Sequence, residues 1–200
     1  MDSNFEDRFY ITNANDLDLE DCIKIIIKVS DGLLDGLFNK ISIDKALLLV
    51  SQNDNDIFKS DNMYLVKDKE RDAIVAMLFA YKIKEDSLPL ILRTLLNKDK
   101  FETLKEVMLS GGKDSFYINT LYVNENYRGY GFASLLLDLA KELAQSSDCN
   151  KTFLHCFSDN EKALSLYKSY NFNIVKNIEY KGLLDFKHPF GYILCQTYSK

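Results

Sequence analysis

"INTLYVNENYRGYGFASLLLDLAKELA", residues 118–144, decides how the rest of the chain is read. Its first part belongs to "SFYINTLYV" (115–123), rich in β-branched and aromatic residues, which reads as a strand. After it, Phe132, Leu135, Leu136, Leu139, Ala140 and Leu143 recur at the i, i+3, i+4, i+7 spacing of a helix laid on a sheet. Between the two lies "RGYGFA". The first N–H groups of a helix lack intrahelical acceptors and the helix dipole adds partial positive charge, so such a junction can hold an anion. Gly129 and Gly131 keep side chains away and tolerate unusual backbone angles, and Arg128 adds charge. The same six residues also suit an ordinary turn. Two common phosphate loops are excluded: Ser134 stands where a dinucleotide fingerprint needs its third glycine, and no Gly-Lys-Ser/Thr follows.

Working outward, "KTFLHCF" (151–157) reads as a strand and "DNEKALSLYKSY" as a helix capped by Asp159 or Asn160. "FNIVKNIEYK" and "FGYILCQTY" are two closing strands. Strand–helix–strand–helix implies a βαβ core with at least one parallel pair. Towards the N-terminus, "FYIT" (9–12) is a short strand and "DLDLEDCIKIIIKVS" an amphipathic helix. Gly32 and Gly36 punctuate "SDGLLDGLFNK", and Ser42 is a cap for "IDKALLLVSQ". "NMYLVKD" and "DAIVAMLFAYKIK" form a hairpin, the second strand apolar enough for burial on both faces. The hairpins make the sheet mixed. Residues 84–114, broken by Pro89 and "SGGKDS", hold two helical stretches and suit a lid or substrate-side insertion on a single domain, 1–200.

The bulk numbers bound the function. The chain has 200 residues, 46% of them hydrophobic, enough for one domain with a real core. A net charge of -5 argues against a nucleic-acid-binding surface and is weakly compatible with small cationic substrates. Cys22, Cys149, Cys156 and Cys195 are scattered, which points to neither a metal site nor a disulfide framework. "MDSNFEDRFYITNAND" lacks the basic and apolar regions of a signal peptide, and the apolar runs are too short to span a bilayer, so the expectation is a cytoplasmic protein with no membrane partner.

The quoted stretch resembles motif A of the GNAT superfamily of N-acetyltransferases, R-x-x-G-x-G/A after a strand ending in Val; the matches are Arg128, Gly131, Ala133 and Val123. About thirty residues on, "HCFSDNEKALSLYKSYNF" is similar to a second family signature through Asn160, Ala163, Leu166, Tyr167 and Phe172. Asn171 stands where the family has Gly, a mild departure because Asn tolerates left-handed angles. The resemblance is strong in the second half and topological in the first.

The resemblance implies an α/β fold with a mixed, largely antiparallel twisted sheet, a central splayed parallel pair and helices on both faces. It implies acetyl-CoA as cosubstrate and no metal. The pyrophosphate is expected on the backbone of Arg128, Gly129, Tyr130, Gly131, Phe132, Ala133 and Ser134, and the pantetheine arm along a bulged strand end at Leu121, Tyr122 and Val123. Asn160 matches a pantetheine-binding position, although by itself it reads as a helix cap. Tyr167 matches the family's general acid, although its spacing with Leu164 and Tyr170 is that of a core tyrosine. No general base stands out. Asn119 and Thr120 occupy the strand positions where relatives carry a carboxylate; Asp31, Asp35, Glu161 and His155 are the alternatives, with His155 more at home as a structural histidine. The acceptor is expected to be a small-molecule amine, met by residues 30–40 and 84–114, with a peptide amine or a non-catalytic CoA-binding module as the alternatives. The resemblance also allows a homodimer, with "FGYILCQTY" as the pairing edge.

Overall fold

The computed structural model describes residues 5–38, 42–52, 57–84, 88–183 and 185–198. A short helix α1 (Phe5–Arg8) leads into strand β1 (Phe9–Asn13). Helices α2 (Leu19–Ser30), α3 (Leu33–Leu37) and α4 (Ile43–Gln52) follow, then the hairpin β2 (Met63–Asp68) and β3 (Ala73–Lys82). Helices α5 (Leu90–Leu95) and α6 (Lys98–Met108) precede β4 (Phe116–Val123). The second half runs α7 (Phe132–Ser146), β5 (Lys151–Phe157), α8 (Glu161–Ser169), β6 (Asn173–Ile178) and β7 (Gly191–Thr197).

The strands form one sheet in the order β1-β2-β3-β4-β5-β7-β6. Every neighbouring pair is antiparallel except β4–β5, which is parallel. This is the mixed sheet expected. β3 explains why it holds together: Met77, Phe79 and Tyr81 pack towards α2–α6, while Leu78 and Ala80 pack towards α7 and α8. Each of these side chains is buried, as an almost wholly apolar central strand requires. A single buried side chain of this size contributes roughly 1.5–3 kcal/mol. The sheet therefore separates two cores, one under α2–α6 and one under α7 and α8.

Two expectations need correction. Gly36 does not break the chain but lies inside α3, where Leu183 packs 3.0 Å from the position a Cβ would take and would have to shift for a larger residue. The strand from "FGYILCQTY" is not an edge: β7 is paired on both sides, with β5 and β6. The C-terminal edge is β6, where Ile174 and Val175 are exposed. Of the stretches assigned to the acceptor, residues 39, 40 and 85–87 lie outside those described.

Candidate active site

The parallel pair is where the sheet opens. β4 and β5 pair only at Phe116–Thr152, Tyr117–Phe153 and Ile118–Leu154. Beyond this β4 continues to Val123 against β3, and β5 continues to Phe157 against β7, so a fork opens between them. The bulge that starts the fork is at Asn119: Phe79 pairs with Thr120 but Ala80 with Ile118, leaving Asn119 as the extra residue. The bulge thus sits just ahead of Leu121, Tyr122 and Val123 rather than on them. Those three residues are half-buried and line the end of β4 with no partner from β5. Tyr122 is held towards α2 by the Lys28 ammonium, 5.5 Å over its ring. At the crotch Tyr117 is buried, its ring centroid 5.7 Å from that of Tyr81.

Past the fork the chain makes a short turn at Glu125–Tyr127, then the glycine loop. That turn is anchored from below. Asp68 is buried at the end of β2 and accepts from Arg8 Nη2 at 2.9 Å, from the Tyr127 hydroxyl at 3.0 Å and from the Glu70 N–H at 3.0 Å. Burial works to raise the pKa of this carboxyl, but the Arg8, Glu70 and Tyr127 bonds overcome it and hold it below the usual range. Gly129 and Gly131 then take φ of 85° and 83°, angles that favour glycine. A Cβ on either would meet no protein atom within 4 Å, so both face open space. The first helical bond of α7 runs from the Leu135 N–H to the Gly131 carbonyl. The N–H groups of Ala133 and Ser134 come ahead of it, and no acidic side chain lies in this first turn. Arg128 and Tyr130 are exposed beside the loop, whereas the Phe132 ring is buried against Phe9, 5.0 Å between centroids, so only its backbone is available.

Tyr167 and Asn160 come from α8, which packs beside β5. Asn160 Oδ1 accepts from the Ala163 N–H at 3.1 Å, the cap that its position suggested. Asn171 has φ of 61°, which accounts for a residue tolerant of left-handed angles there. Tyr167 is buried edge-on to Phe172, and burial, then the nearby Cys156, pushes its pKa up, so the phenol keeps its proton. It belongs to the core under α7 and α8, whereas Tyr117 belongs to the one under α2–α6.

On the opposite face of the sheet, under α2–α6, lies a cavity of about 70 Å³ that reaches the fork at Tyr117, Asn119 and His155. Its polar wall is internally bonded. The Thr120 hydroxyl donates to Asn119 Oδ1, and the neighbouring Tyr81 phenol donates to the Met108 carbonyl at 3.2 Å. His155 faces the same cavity. Its Nε2 is 2.9 Å from the Tyr180 hydroxyl, and burial lowers its pKa to about 4, so the ring is neutral near pH 7. Gly191 makes room for this pair: a Cβ there would lie 2.2 Å from His155 Nε2.

The other base candidates are elsewhere. Asp31 is bonded by Lys187 and by His188, and the Lys187 bond chiefly lowers its pKa. Asp35 and Glu161 are exposed, and neither they nor Asp31 line the cavity. A cluster that the sequence reading left out closes this end. The segment before β7 places His188 with Nδ1 2.8 Å from Asp159 Oδ1 and Nε2 3.1 Å from Asp31 Oδ2. The only hint in the sequence was "FKHPF", one of just two histidines set between aromatics. Among the described residues no three His, Cys, Asp or Glu side chains converge as metal ligands, and no helix is long and apolar enough to cross a membrane.

The family model for the acetyltransferase (GNAT) family matches residues 38–172. Among solved structures, an N-acetyltransferase from Staphylococcus aureus is similar over 94% of this chain and 100% of that one, with 22% identity and a TM-score of 0.64. Arabidopsis thaliana NAA60, solved with a bisubstrate analogue, is similar over 96% and 99%, with 18% identity and a TM-score of 0.63. Arabidopsis thaliana Naa50, solved with the analogue CoA-Ac-MVNAL, is similar over 95% and 99%, with 18% identity and a TM-score of 0.60. At these identities the likeness is one of fold.

Proposed function

The chain belongs to the acetyltransferase (GNAT) family, and we propose that it moves an acetyl group from acetyl-CoA to the primary amine of a small molecule, with Tyr167 as general acid. The observation that carries this reading is the fork between β4 and β5, which the α2–α6 cavity reaches. The glycine loop and α8 stand on one side of it, the α2–α6 cavity on the other. A thioester held in the fork from the first side is reachable by an amine from the second.

The residues divide the work as follows. The backbone from Arg128 to Ser134 receives the pyrophosphate, with Arg128 supplying charge and the two glycines supplying space. Backbone groups of Leu121, Tyr122 and Val123, unused by β5, bond the pantetheine arm, and the Asn160 amide, whose oxygen already caps α8, adds its N–H. The amine nitrogen attacks the thioester carbon, a C–N bond forms and the C–S bond breaks. Tyr167, kept protonated by burial, gives its proton to the departing sulfur. The nitrogen sheds a proton to solvent through the fork, consistent with the lack of a carboxylate at Asn119 and Thr120.

Structural neighbours solved with peptide-bearing analogues raise the alternative of a peptide acceptor. Against it, Leu92 of α5 and Leu104 and Met108 of α6 wall the cavity where an extended chain would pass. This favours the substrate-side role proposed for 84–114. If copies of the chain associate through the C-terminal edge of the sheet, the strand involved is β6. The deciding test is thiol release from acetyl-CoA across a panel of free amines and basic peptides. Turnover of free amines is expected. Turnover of peptides alone overturns the small-molecule assignment, and acetyl-CoA binding without turnover of any amine leaves a CoA-binding module.

A further inference from the structure

The α2–α6 cavity has a composition that selects its occupant. Ile26, Val29, Leu34, Leu104 and Met108 form its walls, and among the described residues no Asp, Glu, Lys or Arg lines it. Most of its polar groups are engaged: the Thr120 hydroxyl donates to Asn119 Oδ1, the Ser30 hydroxyl donates to the Ile27 carbonyl, and His155 pairs with Tyr180. The nearest acid on α2's end, Asp31, is tied to Lys187 and His188. A charged group entering here would lose its hydration and find no counter-ion, a cost that apolar groups do not carry.

We infer that this cavity takes the non-reacting part of the acceptor, and that this part is a short uncharged alkyl group. The acceptor class is therefore a monoamine with an aliphatic tail, not a polyamine or an aminoglycoside. The inference rests on the acetyl-transfer reading above and narrows it. It also runs against the weak compatibility with small cationic substrates suggested by the chain's net charge of -5, because no charged side chain among the described residues lines the cavity. Size points the same way. The cavity, about 70 Å³, is roughly half of the ~150 Å³ void that accepts benzene, which suits a tail of about four carbons. Its polar end is at Tyr117, Asn119 and His155, so a tail seated against Leu104 and Met108 points its amine at the fork.

The test compares n-butylamine with putrescine, which adds only a second ammonium at the far end. Thiol release from acetyl-CoA is measured for both, with wild-type protein and with Val29→Asp, and the melting temperature is followed with and without acetyl-CoA. Val29 is half-buried on α2, so the substitution is compatible with folding. Wild-type kcat/KM is expected to favour n-butylamine at least about 10-fold, the factor set by roughly 1.4 kcal/mol. Val29→Asp, which places a carboxylate in the wall, is expected to shift that ratio towards putrescine by a similar factor while acetyl-CoA still raises the melting temperature. Putrescine used as well as n-butylamine by the wild type overturns the inference. So does a rate that rises with butyryl-CoA while staying flat along the amine series, which would give the cavity to the acyl chain. If acetyl-CoA neither raises the melting temperature nor releases thiol with any amine, the acetyl-transfer reading falls together with the inference.

Discussion

The imidazole of His188 lies flat on the ring of Phe157, 3.7 Å between centroids and 9° from parallel. From that platform its two nitrogens reach Asp159, next to Asn160 in the α8 turn, and Asp31, at the left-handed end of α2. One side chain thus links the turn before α8 to the end of α2. His188→Ala is expected to lower stability by about 2 kcal/mol, through lost stacking and two lost charge-assisted bonds. For a chain of this length that is a fall of roughly 4–8 °C in melting temperature. His188→Phe, which keeps the stack, is expected to recover part of the loss; calorimetry on the pair checks it.

Tyr167→Phe preserves the buried ring and its edge contact with Phe172 but removes the proton donor. The expected result is a fall in kcat of roughly 10²–10⁴, the usual worth of general acid catalysis, with acetyl-CoA still raising the melting temperature as in the wild type. Unchanged kcat would remove Tyr167 from the proposed chemistry.

Three glycines separate backbone strain from ligand contact. Gly112, Gly129 and Gly131 all have φ between 68° and 85°, and a Cβ on any of them meets nothing within 4 Å. Alanine at each should cost about 1–2 kcal/mol through the same left-handed strain. Only Gly129→Ala and Gly131→Ala are expected to raise KM for acetyl-CoA, by about 10-fold or more. Gly112→Ala, in the turn before β4, should leave KM unchanged.

His155 makes stability depend on pH in a definite window. Burial lowers its pKa from 6.5 to about 4, so between those values the unfolded chain binds a proton that the folded one refuses. Stability is therefore full above pH 6.5 and falls as pH drops towards 4, by on the order of 3 kcal/mol. Urea midpoints across this range for wild type and His155→Gln check the sign: the difference between the two should shrink on acidification and level off near pH 4. Carboxylates held below their usual range, such as Asp31 and Asp68, also weaken the fold in acid, but they do so in both proteins and cancel.

The sequence made the centre of the fold legible because the centre is strongly periodic. β3, β4 and α7 each carry a pattern that admits one reading, and the glycine loop between the last two has a backbone reason for each glycine. Local signals failed where a distant residue decides. Gly36 looks like a breaker until Leu183 is brought against it from the far end of the chain. β7 looks like an edge until β6, earlier in sequence, is found outside it with almost every residue exposed. The cavity was out of reach for the same reason: its walls come from α2, α3, α4, α5 and α6, and no single segment announces a concave surface. His155 reads as structural, and it does pair with Tyr180, but only the fork next to it shows that it also faces the site.

The three rungs between β4 and β5 also have a mechanical meaning. They divide the sheet into a leaf of β1–β4 and a leaf of β5, β7 and β6, joined along a spine one residue triplet long. Helix α7 also crosses that seam, lying chiefly on β3 and β4 and reaching β5. The protein is in this sense a book bound at one corner. A donor held in the open part of the seam, as proposed above, would act as the missing stitches, and grip on it and integrity of the sheet would then be a single property of the molecule.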